Sequence, residues 1–212
     1  RPWVSEALPS IRAAKTQGLP LTVETCPHYL TFDAEHIPDG ATAFKCCPPV
    51  RGQANRELLW DALVDGTIDI VASDHSPATA ELKVGADGDF LRAWGGISGL
   101  QVSLAAVASG AVQRGIPLET AVSWMTAKTA AFAGLTDRGS IAPGMRADLV
   151  AFARGREWQV SASDLEHKNK VSAFDGRSLI GKATRTWIAG TQVHPEAPDA
   201  TSLVGQLVTR PT

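Results

Sequence analysis

Cysteine is scarce in this sequence, with three in 212 residues, and Cys26, Cys46 and Cys47 show no C-x-x-C spacing. A small, odd number argues against a disulfide framework or a structural zinc finger and points to a reducing, cytoplasmic compartment. Long apolar runs are also missing. No stretch approaches the ~20 consecutive apolar residues that span a bilayer, and the first residues lack the basic-then-apolar layout of a secretion signal. Nor is there an excess of charge of one sign. A formal net charge of −2 and a pI of ≈ 6.2 leave no broad basic field, so neither nucleic acid nor an anionic membrane is expected as a partner. Repeats, heptads and low-complexity tracts are absent. What remains is a globular composition, 44% hydrophobic and 20% charged, suited to a small neutral or acidic ligand.

Periodicity then organises the chain. Val4, Ala7, Leu8, Ile11 and Ala14 recur at helical spacing, and Gly18 with Pro20 ends the run. Leu21 to Glu24 suits a short buried strand. Thr42 to Cys46 reads as a second strand, ended by Pro48 and Pro49, and Thr67 to Ala72 as a third. Between Gln53 and Val64 the set Leu58, Leu59, Ala62 and Leu63 gives a helix stripe, with Gly66 at the expected C-terminal cap. Strand, helix, strand in this order implies parallel pairing, and in such sheets chemistry collects where strands end. After the glycine-rich Trp94 to Gly99 loop, helical patterns run from Leu100 to Gln113 and from Leu118 to Phe132. Near Asp137 the texture becomes β-rich, and Arg185 to Val193 reads as two strand pieces around a glycine turn. The residues after Pro195 read as an extended surface tail.

Two residues stand out as carriers of chemistry. His28 lies just past the first expected strand, where an imidazole ligates a metal or shuttles protons; a merely structural loop histidine is the competing reading. Asp74 follows the third strand, where a carboxylate ligates a cation or acts as general acid and base; a turn or cap residue is the alternative. His75 is read as structural, because neighbours in extended chain point apart. Two good ligands fall short of the three or more that a hydrolytic zinc site needs. Cys46 reads as a small buried hydrophobe, and Cys47, nearer the strand end, less firmly so. Gly95, Gly96 and Gly99 form no phosphate loop, since no strand directly precedes them and no Lys-Ser/Thr pair follows. They suit close approach of backbone to a ligand or another loop. His36, His167 and His194 have no evident partner.

VETCPHYLTF, FKCCPPVR, IDIVASDHSP, AWGGISGLQ and GSIAPGMRADLVAF, in this order and spacing, resemble the cyclic-amide branch of the amidohydrolase superfamily, most closely its allantoinase side. SDHSP followed by ELK and AWGGI-x-G-L-Q carries that narrower likeness, which covers about Arg1 to Val193. The resemblance implies an α/β fold: the C-terminal portion of a (β/α)8 metal-dependent hydrolase barrel, followed by part of a small β-sandwich. Residues 1–136 would supply strands six to eight with their helices, and residues 137–212 the sandwich segment and tail. His28 takes the sixth-strand metal-ligand position and Asp74 the eighth, where it doubles as the catalytic proton carrier. Cys47, Ser76 and Gly99 take substrate-binding positions; many relatives have Ser where Cys47 stands, and a thiol is a weaker donor.

Two divalent metal ions are implied, zinc first, with cobalt, manganese or nickel as alternatives, bridged by a carboxylated lysine that this chain does not carry. The sequence has no H-x-H, the ligand pair the family places after its first strand, and the likeness starts just before the sixth. The chain therefore reads as a C-terminal half, inactive alone, whose partners are a small cyclic amide, the N-terminal part of the same enzyme and further copies in a homo-oligomer such as a tetramer. The implied reaction is hydrolysis of allantoin to allantoate. Hydantoinase, dihydropyrimidinase and dihydroorotase keep the chemistry and change the ring, and a non-catalytic assembly protein of the same fold is the rival from another class.

Overall fold

The computed structural model describes residues 4–85, 87–193 and 207–208. His194 and nearly all of the expected tail lie outside the described residues. A 3₁₀ turn at Ser5–Ala7 leads into helix α1, Leu8–Thr16. Pro9 sits near its start, where a missing N–H costs nothing, and Gly18, at φ +75°, turns the chain out of it. Arg12 and Lys15 fasten α1 to the chain ahead of the second strand, through Asp65 at 2.7 Å and Asp69 at 2.6 Å. Asp69 also accepts from the Val23 N–H at 2.8 Å, which aligns the two strands.

Strand β1, Glu24–Thr25, is followed by the short helix α2, Pro27–Thr31, and by helix α3, Gln53–Val64. Strand β2, Ile70–Val71, pairs with β1 in parallel, Glu24 opposite Ile70 and Thr25 opposite Val71. Helix α3 is the expected crossover, and Gly66 at φ +80° ends it as the cap pattern requires. The first ladder falls later than expected. Leu21 is exposed and its N–H bonds back to Leu19 O, while Val23, Thr25 and Cys26 carry the burial.

Thr42 to Cys46 does not form the expected strand. Thr42–Phe44 is a 3₁₀ turn, entered through Gly40 at φ +74°. The Thr42, Phe44 and Lys45 N–H groups bond to Gly40, Ala41 and Thr42 carbonyls. β1 and β2 pair directly, so their ladder leaves no place between them, and this backbone satisfies itself locally.

Helix α4, Ala80–Lys83, is capped by Thr79, whose hydroxyl accepts from the Leu82 N–H. Helix α5, Ser103–Gln113, is buried along almost its whole length. The Leu118 to Phe132 pattern splits into α6, Leu118–Ser123, and α7, Ala127–Phe132. Thr126 breaks the helix at φ −127°, ψ −87°. The break lets Trp124 bury its indole and accept the Val71 N–H at 3.0 Å, closing the far side of β2. Trp60, Leu59 and Leu63 of α3, Trp124 and the small residues of α5 form the central core. Gly110 makes this packing possible: a Cβ there would lie 3.0 Å from Trp60 Cη2 and closer still to Cζ2.

The later residues build an antiparallel sheet of β3, Leu149–Gln159, β4, Ser178–Ile188, and β5, Thr191–Val193. The expected turn is there, Ala189 and Gly190 both at positive φ, the geometry that two-residue hairpins favour. Ser109 Oγ of α5 accepts from the Ile180 N–H at 2.7 Å and joins this sheet to the helical part. No helix among the described residues is long and apolar enough to cross a membrane.

Candidate metal centre

Parallel pairing places the C-terminal ends of β1 and β2 side by side. His28 stands three residues beyond Thr25, and Asp74 three beyond Val71, its partner in the register. His28 is held in α2, which Pro27 starts with its ring at the first helical position, and the imidazole is 2% exposed. Asp74 is half-buried and sits at φ +45°. That left-handed conformation is strained for most side chains and tolerated by Asp, and it is where structures place functional residues that a loop must aim.

Cys26 completes the group. One ligand atom each from Cys26, His28 and Asp74 lies within 4.8 Å of the other two. A thiol, an imidazole and a carboxylate at this separation offer the donor types of a transition-metal site, so the residues present fit a divalent metal. The sequence reading paired His28 with Asp74 and passed over Cys26. The signal was the i, i+2 spacing in CPH, and Cys26 at 0% exposure reads from sequence as an ordinary small core residue.

Three loop segments surround the cluster. Tyr29, next to His28, donates its hydroxyl to Pro48 O at 2.7 Å and so fixes the Cys46–Pro49 segment; the Cys47–Pro48 peptide is cis. Burial pushes the Tyr29 phenol well above its ordinary range, and pushes the Cys46 thiol up to about 11. Cys47 is exposed and lies against Gly95, where a Cβ would come within 2.7 Å of its Sγ. Ser76 donates its N–H to Ile97 O at 3.0 Å, and its Oγ accepts from Trp94 Nε1 at 3.2 Å. Cys47 and Ser76 are therefore joined through the Trp94 to Gly96 loop.

His75 is engaged with the Gly99–Leu100 backbone, although the left-handed turn at Asp74 means that strand alternation is not what directs it there. Its Nδ1 accepts the N–H groups of Gly99 and Leu100 at 3.2 and 3.3 Å, which leaves the proton on Nε2. Burial holds it below the ordinary imidazole range. Gly99 is thus engaged within the protein: its N–H goes to His75, and its carbonyl accepts from Ser103 Oγ at 2.7 Å and from the Val102 N–H. A substrate contact from the Gly99 backbone has to displace one of these bonds. His36, without an evident partner in the sequence, meets the buried Asp33 through its Nδ1, and Asp33 also holds Arg56. His167 lies beside His75, ring centroids 5.5 Å apart.

Fold and site together define a mixed α/β protein that gathers metal-type ligands where its parallel strands end. A model of the amidohydrolase family matches residues 5–193, and the chain belongs to that family. It is 49% identical over 206 residues to an allantoinase of Streptomyces avermitilis, covering 97% of this chain and 45% of the relative. It is 45% identical over 205 residues to an allantoinase of Arabidopsis thaliana, covering 96% of this chain and 40% of that one. Among solved structures, an L-hydantoinase (dihydropyrimidinase) from Arthrobacter aurescens superposes with a TM-score of 0.84 at 30% identity, covering 90% of this chain and 43% of that chain. A dihydropyrimidinase from Brevibacillus agri gives 0.83 at 28%, with 91% and 43% covered. The chain spans less than half the length of these relatives.

Proposed function

We propose that this chain supplies the C-terminal share of a metal-dependent cyclic amidohydrolase whose substrate is allantoin and whose product is allantoate. The convergence of His28 and Asp74 at the ends of two paired parallel strands carries the proposal. The relatives named as allantoinases, 45–49% identical, favour the substrate. Their greater length leaves room for an N-terminal segment that would bring the remaining metal ligands, a carboxylated lysine among them, for two divalent ions. A cytoplasmic homo-oligomer belongs to the same reading.

A ring amide is unactivated, and a divalent metal, zinc in this proposal, supplies the polarisation that makes water nucleophilic near pH 7. His28 through its imidazole and Asp74 through its carboxylate would hold that ion, with Cys26 Sγ at hand. Asp74 has the second task. Its carboxylate oxygen takes the proton from the attacking water and returns it to the departing ring nitrogen, so the ring opens without releasing an amide anion. The left-handed turn at Asp74 keeps that oxygen within 4.8 Å of the Cys26 and His28 ligand atoms. Ser76 and Cys47 line the wall that meets the ring, Ser76 with its hydroxyl and Cys47 with its thiol and neighbouring backbone.

A second reading keeps the chemistry and changes the ring. The hydantoinase and dihydropyrimidinase structures, at 28–30% identity and TM-scores above 0.8, favour it. Rates of opening of allantoin, hydantoin, dihydrouracil and dihydroorotate by the complete enzyme decide between them. Allantoin should be opened much faster than the other three; equal rates on all four would overturn the choice of substrate.

A further inference from the structure

Lys83 is 4% exposed, and the reaction proposed above does not use it. Its ammonium has three N–H groups, and each meets a backbone carbonyl: Lys45 O at 2.6 Å, Gly96 O at 2.6 Å and Trp94 O at 3.0 Å. No ion pair involving it is found among the described residues. A buried cation without a counter-charge is costly, so its place demands a task that an apolar side chain of the same length could not perform. The three carbonyls belong to two loops. Lys45 begins the segment that presents Cys47, and Trp94 and Gly96 flank Gly95, which packs on Cys47, while Trp94 and Gly96 also meet Ser76. From the outer side Lys45 adds a second tie, its Nζ reaching Ala93 O at 2.6 Å and Leu91 O at 3.2 Å.

We propose that Lys83 is a positioning residue for substrate binding: its three-way tie sets the separation of the Lys45–Pro48 and Trp94–Gly96 loops, and so the spacing of Cys47 and Ser76 that pack on them. The inference rests on the cyclic-amide reading above. All three N–H groups of Lys83 are taken by loop carbonyls, so its loss loosens ground-state binding of the ring more than it slows chemistry.

Burial pulls Lys83 down to about 8, and the titratable groups that act on it are Cys46, Lys45 and Cys47. The neutral amine keeps two N–H groups and gives up one carbonyl. The tie therefore weakens as pH rises through that value. Cys46, pushed up to about 11, stays protonated across the window.

The test uses the complete enzyme with allantoin, comparing wild type, Lys83→Met and a Cys47→Ser background that removes the exposed thiol. Lys83→Met should raise KM at least tenfold at pH 7 with kcat within threefold and metal content unchanged. In the Cys47→Ser background KM should rise between pH 7 and 9.5 when Lys83 is present and stay flat when it is Met. Without substrate, hydrogen exchange of residues 91–97 should speed up in Lys83→Met while residues 103–113 stay protected. Wild-type KM in Lys83→Met overturns the proposal, with or without faster exchange, as does a loss confined to kcat. If Lys83→Met does not fold, Lys83→Gln, which keeps a polar donor and loses the reach to three carbonyls, decides alone: wild-type KM there overturns it. Failure of the underlying reading looks different, since wild type itself would then not open allantoin, while the exchange measurement would still report the tie.

Discussion

One methyl group at Gly96 should push the Ser76 segment and the Trp94–Gly96 loop apart. Gly96 is buried, and a Cβ built on it would lie 2.5 Å from Ser76 Cβ, closer still to Ser76 Oγ, and 3.0 Å from Trp94 Nε1. Ordinary contact begins near 3.4 Å, so in Gly96→Ala the Ser76 and Trp94–Gly96 segments must part by about 1 Å. Gly96 has no positive φ, so the effect is steric, with no backbone strain to confuse it. Overpacking of this kind costs about 1–3 kcal/mol, and each kcal/mol lowers Tm by about 2–4 °C in a domain of this size. A misplacement of about 1 Å in a positioning group reduces turnover efficiency by about 10²-fold. Thermal unfolding and kcat/KM of the complete enzyme measure both. Ser76→Gly removes the two nearest of these three atoms and leaves Trp94 Nε1, so in a double-mutant cycle it should return about 1–2 kcal/mol of the loss seen with Gly96→Ala. If Gly96→Ala unfolds within about 0.5 kcal/mol of wild type and keeps its KM, the loops are not packed as described.

Gly110→Ala drives a methyl into the Trp60 indole. It should lower stability by about 1–3 kcal/mol despite the better helix propensity of Ala, and an unchanged or higher Tm would refute that packing. Asp33→Ala strips the buried carboxylate from Arg56, whose side chain is only 15% exposed. The expected loss is about 3 kcal/mol, the low end for a broken buried pair, because Glu57 still holds Arg56 at 3.0 Å. Chemical denaturation midpoints check it.

Helices with an apolar stripe and a glycine stop, such as α3, were legible in the sequence in their bounds, although Leu58 of the expected stripe is exposed and Trp60 is buried in the core. The hairpin around Gly190 was legible too, because turn chemistry there is local. Thr42 to Cys46 misled because its β-compatible residues carry no record of what lies beside them. β1 and β2 are direct neighbours, which leaves no slot between them for a third strand. The break between α6 and α7 was hidden for a similar reason, since helical spacing continues through Trp124 while tertiary contact with Val71 bends the backbone. At the site, His28 and Asp74 could be singled out because each follows an expected strand. Cys26 and Lys83 were missed: a buried thiol resembles core, and the partners of Lys83 are carbonyls, which every residue has.

Bound metal in the complete enzyme, counted in wild type, His28→Ala and Asp74→Asn, bears most directly on the claim that the two strand ends form a metal centre. Each variant should keep the wild-type circular dichroism and lose metal, and Asp74→Asn should also lose turnover by about 10²–10⁴-fold. Full wild-type metal content in both variants would contradict the assignment.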